Sequence, residues 1–157
     1  MKLALRINTP EKMEQLGMNI AHEVVPNDCI AMNGELGAGK TTLTKGIGKV
    51  LEIKEVINSP TFTIMKIYKG TLNLYHLDVY RVENVSDDFE LEEYFYLNGL
   101  TVIEWADRIK PLLPENTIYL DFKIETNGDR IVTINAKNEF IKKLEENYNE
   151  EIIRWYI

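Results

Sequence analysis

The stretch Cys29-Ile30-Ala31-Met32-Asn33-Gly34-Glu35-Leu36-Gly37-Ala38-Gly39-Lys40-Thr41-Thr42 decides the architecture. Its first four residues form an apolar run of the kind found in a strand covered on both faces. From Lys40 to about Leu51 the pattern turns helical. Between the two, Gly34 to Thr41 fits G-x-x-x-x-G-K-[ST] in full, in the strand-to-helix setting that this motif requires. Backbone N–H groups can converge on phosphate oxygens only where no Cβ blocks the approach or where the chain takes positive φ, and Gly34, Gly37 and Gly39 supply that freedom, with Glu35, Leu36 and Ala38 completing the loop. Lys40 can reach the β and γ phosphates, and the helix that follows adds the positive end of its dipole. The Thr41 hydroxyl is placed to ligate magnesium, while Thr42 either assists it or caps the helix. An Asn-Lys-x-Asp guanine-reading tetrapeptide is absent from the chain, which favours ATP over GTP.

Working outward, Leu3 to Ile7 reads as a short strand, and Thr9-Pro10-Glu11 supplies an N-cap, a first-turn proline and an acidic first turn for a helix to about Val25. Pro26-Asn27-Asp28 breaks it. On the other side, Thr61 to Tyr68 and Leu72 to Asp78 alternate as strands around a Lys69-Gly70 turn, a hairpin pattern. Asp87 to Leu97 reads as an acidic amphipathic helix, and Leu100 to Ile103 as a short strand ending at Glu104. After a proline-bounded connection, Ile118 to Ile124 and Arg130 to Ala136 are β-type runs joined through Asn127-Gly128-Asp129, and Asn138 to about Tyr148 begins a charged C-terminal helical segment, 138–157. Strands alternating with helices in the first half imply a parallel sheet, and the later hairpin implies antiparallel strands added at one edge. The expected fold is a three-layer α/β P-loop NTPase with a mainly parallel sheet and antiparallel edge strands, in one domain, 1–157.

Composition limits the partners. With 157 residues and 45% hydrophobic content the chain can bury a substantial core. Eighteen basic against 25 acidic side chains leave a net charge of -7, and Lys and Arg are dispersed among carboxylates. Tight autonomous RNA binding needs clustered cations that release counterions, so any RNA in this protein's work is expected to be held by a partner. The only cysteine, Cys29, lies within an apolar run and is expected to be buried and inert. The start of the chain lacks the apolar core of a signal peptide, and no apolar stretch reaches the ~20 residues of a membrane span, so a cytoplasmic protein is expected.

An enzyme built on such a loop needs an acid near the magnesium, usually at the carboxyl end of a neighbouring strand. Two are available: Asp78 ends the run in which Leu72, Leu74, His76 and Asp78 share a face, and Glu104 ends Leu100 to Ile103. Either could instead be a solvated strand-end acid. His76 is read as a hydrogen-bonded packing residue and Trp105 as a packing aromatic, although Trp105 could flank the nucleotide. Ser59-Pro60-Thr61 places hydroxyls in a stiffened segment after the loop helix, where a γ-phosphate switch could sit; a plain loop-to-strand junction fits equally.

In combination, Gly34 through Thr42, Ser59-Pro60-Thr61-Phe62-Thr63, Tyr75-His76-Leu77-Asp78-Val79-Tyr80-Arg81 and Ile103-Glu104-Trp105 occur in that order, and the chain thereby resembles the TsaE (YjeE) family. The resemblance runs from about Thr9 to the hairpin after Glu115; the terminal helix carries little of it. It implies a small ATPase that supports the TsaD and TsaB proteins while they transfer threonylcarbamoyl to the tRNA adenosine beside the anticodon, with tRNA met only through that complex. It further implies that Lys40 holds phosphate, that Thr41 or Thr42 with Asp78 or Glu104 serves Mg2+, that Ser59-Pro60-Thr61 is the switch, that Trp105 lies near the nucleotide, and that Thr9 makes a further nucleotide contact. Two other readings compete: a small-molecule kinase on the same loop, and a non-catalytic module that uses ATP as an assembly ligand. A kinase lid usually carries several arginines, and after Arg81 only the widely spaced Arg108, Arg130 and Arg154 remain.

Overall fold

A computed structural model describes residues 1–60, 65–80 and 92–154. Among these, seven strands and three α-helices follow one another as β1 (Lys2–Ile7), α1 (Pro10–Glu23), β2 (Cys29–Asn33), α2 (Lys40–Val50), β3 (Met65–Tyr68), β4 (Leu74–Asp78), β5 (Leu100–Glu104), β6 (Ile118–Ile124), β7 (Arg130–Asn135) and α3 (Asn138–Glu145). The strands form a single sheet in the order β1-β7-β6-β2-β5-β4-β3. The middle is parallel: β2 pairs in parallel with both β5 and β6, and β4 pairs in parallel with β5. The expectation of antiparallel strands at one edge is extended, because both edges are antiparallel. The hairpin β3–β4 makes one, and β6–β7 draws the amino-terminal β1 against β7 to make the other.

Side chains alternate across the sheet, and each face has its own cover. On one face Met13, Leu16 and Ile20 of α1, Leu43 and Ile47 of α2, and Ile141 and Leu144 of α3 pack over Ile30, Met32, Leu100, Val102, Leu120 and Val132. The opposite face, with Cys29, Ala31, Tyr75, Leu77 and Ile103, is covered among the described residues by two short 3-10 segments. One spans residues 92–96 and buries Phe95; the other is Ala106–Leu112, which buries Ala106 and Ile109. Cys29 is fully buried there, and burial pushes its thiol up to about 12, in keeping with an inert packing residue.

Local signals explain the helix that faces the loop. Thr9 caps α1, its Oγ1 accepting a hydrogen bond from Lys12 N at 3.1 Å, and Pro10 opens the first turn. The helices α1 and α2 touch backbone to backbone at two glycines: a Cβ on Gly17 would overlap the Leu43 carbonyl oxygen, and one on Gly46 would overlap that of Glu14. This contact fixes the depth at which α2 lies on the sheet, and therefore where its first turn points.

Two helical expectations change. Of the acidic helix expected over 87–97, residues 87–91 lie outside the described residues, and 92–96 form a 3-10 turn because Phe95 is drawn inward beside Tyr75 and Leu77. The C-terminal helix stops at Glu145, well short of the end of the charged segment, with Asn147 Nδ2 donating to Leu144 O at 3.1 Å. Beyond it the chain folds back so that Ile152 bridges Leu5 and Ile153 packs on Ala4 and Ile131; residues 155–157 lie outside the described residues. Apolar burial against β1 wins over continuation of the helix. No helix among the described residues is long and apolar enough to cross a membrane.

The glycine contact gives a test with a definite sign. In a solvent-facing helix Gly→Ala stabilises by about 1 kcal/mol. Gly46→Ala should instead destabilise the fold by about 1–3 kcal/mol, the usual cost of forcing atoms into a packed contact. Urea denaturation measures the difference, and a stabilised Gly46→Ala would show that the helices can separate freely.

Candidate functional site

The site lies where the carboxyl ends of β2, β5 and β4 line up. Met32 is opposite Glu104, and Glu104 is opposite Asp78, so the loop after β2 and the two strand-end acids emerge side by side. Gly39 takes φ 107, a left-handed conformation that lets the chain swing from the loop straight into α2. The loop is closed by Ala38 N donating to Glu35 O at 3.2 Å and by Leu43 N donating to Gly39 O at 2.9 Å. Ala38 is buried, Gly37 and Glu35 are exposed, and Leu36 stands out at the tip with 92% of its surface open.

Lys40 is buried despite its charge, at 5% exposure. Its Nζ donates to Gly34 O at 2.7 Å and stands 4.3 Å from the centre of the Trp105 ring. Burial lowers the affinity of this ammonium for its proton, while the negative charges of Glu104 and Asp78 act the other way. In the sheet register the two acids stand side by side at the ends of β4 and β5, next to the end of β2 from which the loop carrying Lys40 departs. Trp105 reaches this position because its backbone is left-handed, with φ 62 and ψ 37, which turns the chain sharply after Glu104. Asn33 Oδ1 accepts from Asp107 N at 3.1 Å and ties that turn to the end of β2. The indole also packs on Tyr80 at 4.8 Å between ring centres, and Arg108 stacks over Tyr80 at 5.0 Å. The aromatic read as a packing residue thus packs against the loop lysine itself.

The acids differ in setting. Asp78 is half-buried, and its Oδ1 accepts from Tyr80 N at 3.0 Å. Glu104 is buried, and its Oε2 is 2.7 Å from Nε2 of the fully buried His76. His76 is a hydrogen-bonded interior residue, as expected, but its partner is one of the two candidate acids. Thr41 and Thr42 are half-buried in the first turn of α2. Hydroxyls and carboxylate oxygens beside a phosphate loop are the hard donors a magnesium ion takes, so this residue set fits that ion.

A cleft of about 150 Å³ opens beside the loop, lined by Asn8, Thr9, Met13, Gly37, Thr42 and Arg130 among others. Thr9, distant in sequence, is thereby brought to the loop. Arg130 reads in the sequence as an isolated arginine; in the fold its Nη2 donates to Gly37 O at 3.1 Å, and its Nη1 donates to Gly128 O. The β6–β7 turn is in turn held to β1 by an ion pair between Arg6 and Glu125, with Asp129 3.6 Å from the same guanidinium. The turn signal at Asn127-Gly128-Asp129 was legible; only the sheet order places it over the loop. Of the expected switch, Ser59 is half-buried and Pro60 buried, while Thr61 lies outside the described residues, as does Arg81. A larger concavity, about 180 Å³, lies at the opposite end of β2 around Asp28 and Lys137, away from the loop.

Comparison with known proteins agrees with this geometry. Residues 7–132 match the model of the family described as threonylcarbamoyl adenosine biosynthesis protein TsaE. The tRNA threonylcarbamoyladenosine biosynthesis protein TsaE of Bacillus subtilis is 41% identical over 136 residues, covering 86% of each chain. Its namesake in Rickettsia typhi is 37% identical over 84% of this chain and 94% of its own. Among solved structures, the crystal structure of Bacillus subtilis YdiB superposes with a TM-score of 0.78 at 35% identity, covering 93% of both chains. On the sequence match, the superposition and the phosphate loop together, the chain belongs to the TsaE family.

Proposed function

We propose that this protein is a magnesium-dependent ATPase that serves threonylcarbamoyladenosine formation on tRNA as an accessory factor to TsaB and TsaD, its cycle of ATP binding and hydrolysis regulating or resetting that complex. One observation carries the reading: a complete phosphate loop with a buried Lys40 leaves the end of β2 directly beside Glu104 and Asp78, which the sheet register holds side by side. The relatives' names supply the pathway, and the net charge of -7 suits a factor that docks on protein and leaves tRNA to its partners.

The triphosphate would lie along residues 34–40, its charge met by loop N–H groups, by the amino end of α2 and by Lys40. Thr41 or Thr42, Asp78 and Glu104 would hold magnesium, which when bound neutralises charge building up on the phosphate oxygens. Asp78 is assigned to the metal. Glu104, longer by one methylene and buried, is assigned to orienting the attacking water or to the metal's outer side. The cleft between Thr9 and Arg130 would take the nucleoside, with Ser59-Pro60-Thr61 as the switch and Trp105 over the phosphate end. The deciding experiment is ATP hydrolysis by the purified chain alone and with TsaB and TsaD. Stimulation by those proteins with no phosphate acceptor supports the proposal; phosphate transfer to a small molecule would favour a kinase, and tight ATP binding with no turnover in either mixture would favour an assembly module.

Lys40→Ala should weaken ATP binding about 10- to 100-fold, matching the roughly 1.5–3 kcal/mol of hydrogen bonds to a charged group. Calorimetry measures it, and unchanged affinity would remove Lys40 from the phosphate site. Asp78→Asn should keep ATP binding in EDTA and lose most of the gain that magnesium brings, because a hard cation prefers an anionic oxygen. Glu104→Gln should bind magnesium ATP and hydrolyse it poorly. Reversed phenotypes would exchange the two roles.

Trp105 reports on the same event. Because the Lys40 ammonium lies over its ring, phosphates that draw Lys40 away should change the indole emission. Titration with magnesium ATP in a Trp155→Phe background isolates Trp105, and a silent signal would reduce it to packing.

A further inference from the structure

His76 is fully buried in the middle of β4, and its ring nitrogens have unequal fates. Nε2 lies 2.7 Å from Glu104 Oε2, whereas Nδ1 is buried with no hydrogen-bond partner among the described residues. On its face of the sheet, Leu74, Leu100 and Val102 are apolar and belong to the main core, while Lys66 lies opposite it on β3 and Asp78 and Glu104 follow toward the strand ends. An apolar side chain at position 76 would pack there without stranding a nitrogen, whereas an unsatisfied buried polar group costs about 1–3 kcal/mol. Packing alone does not account for the imidazole. The pairing with Glu104 does, since a carboxylate only 4% exposed needs a donor.

The tautomer follows from the hydrogen bonds. With the proton on Nε2, the ring donates to the carboxylate and leaves only a lone pair unmet on Nδ1. With the proton on Nδ1, a buried N–H would be unmet and Nε2 would face the carboxylate lone pair to lone pair. Unmet acceptors are tolerated better than unmet donors. One carboxylate oxygen is thus engaged by the strand next door. Asp78 is restrained in a parallel way, its Oδ1 taken by Tyr80 N.

We propose that His76 is a positioning residue: its Nε2–H holds Glu104 Oε2, so that Oε1 alone is presented to the bound magnesium nucleotide, in one fixed orientation. The proposal deepens the ATPase reading above and rests on it. Groups that orient site residues from behind typically account for about 10- to 100-fold in affinity or activity. Without His76 the Glu104 side chain could rotate or offer both oxygens.

The tautomer can be read in the unliganded protein by long-range 15N–1H correlation. His22, the only other histidine, is removed by His22→Gln to make the assignment. Protonation at Nε2 with a bare Nδ1 is expected, and a proton on Nδ1 would overturn the proposal. His76→Leu should lower turnover, and raise the magnesium concentration needed for half-maximal ATP binding, by about tenfold, while ATP affinity in EDTA stays within about twofold. His76→Gln carries an amide N–H at a similar reach and should restore both to within about threefold of the wild type. Wild-type behaviour of His76→Leu, or a folded His76→Gln as impaired as His76→Leu, would overturn the proposal. Should His76→Leu fail to fold, His76→Gln decides alone, and a folded but inactive Gln variant sinks the idea. If the wild type with TsaB and TsaD shows no magnesium-dependent turnover, the ATPase reading fails by itself. The two variants' magnesium half-saturation for ATP binding then still judges His76: a tenfold rise in Leu and not in Gln supports it, and equal values overturn it.

Discussion

The register between β2, β5 and β4 governs the rest of the site. Side chains alternate from face to face, so sliding β5 by one residue would exchange Glu104 for Ile103 on the helix-bearing side and send the carboxylate into the layer of Ala31 and Leu77. What prevents the slip is apolar: Leu100 and Val102 insert into the core beneath α2, together with Ile30, Met32 and Leu74. At roughly 1.5–3 kcal/mol for each fully buried aliphatic side chain, the core sets the register far more firmly than any polar contact at the strand ends could. Residues that never approach a phosphate thus set where Lys40, Asp78 and Glu104 meet.

Much of this arrangement was readable along the chain because it is written locally. The loop glycines, the apolar run of β2, the Thr9 cap and the turn at Asn127-Gly128-Asp129 each act within a few residues. Parallel pairing of the middle strands followed from the alternation of strands and helices. What could not be read is set by contacts across long separations. That β1 pairs with β7, and so brings Thr9 and Arg130 to the same side of the loop, depends on which edge a terminal strand joins, and no local signal encodes that choice. The union of His76 with Glu104 arises only once β4 and β5 are side by side. The helix expected over 87–97 carried an amphipathic pattern in which Phe95 was simply one apolar position; in the fold Phe95 anchors a 3-10 turn on the far face of the sheet.

The same edge strand links the loop to a distant turn. Arg6 in β1 grips Glu125 and Asp129, and Arg130, the first residue of β7, holds the Gly37 carbonyl. The most open part of the phosphate loop is thereby steadied by a hairpin that contributes no residue to the recognised motif. In exposed surroundings a lone ion pair adds little stability; here it fixes the position of a backbone turn, and its influence is geometric.

The tail after α3 has a different bearing. Arg6 N donates to Glu151 O at 2.8 Å and Ile153 N to Ala4 O at 2.9 Å, so residues 151–153 lie along the outer side of β1 from Ala4 to Arg6. An uncovered border strand offers a row of unmet N–H and C=O groups that another molecule can extend, the usual beginning of self-association and fibre growth. Although the segment after α3 carries little of the family's signature, residues 151–153 meet backbone groups of Ala4 to Arg6 that a neighbouring strand would otherwise take.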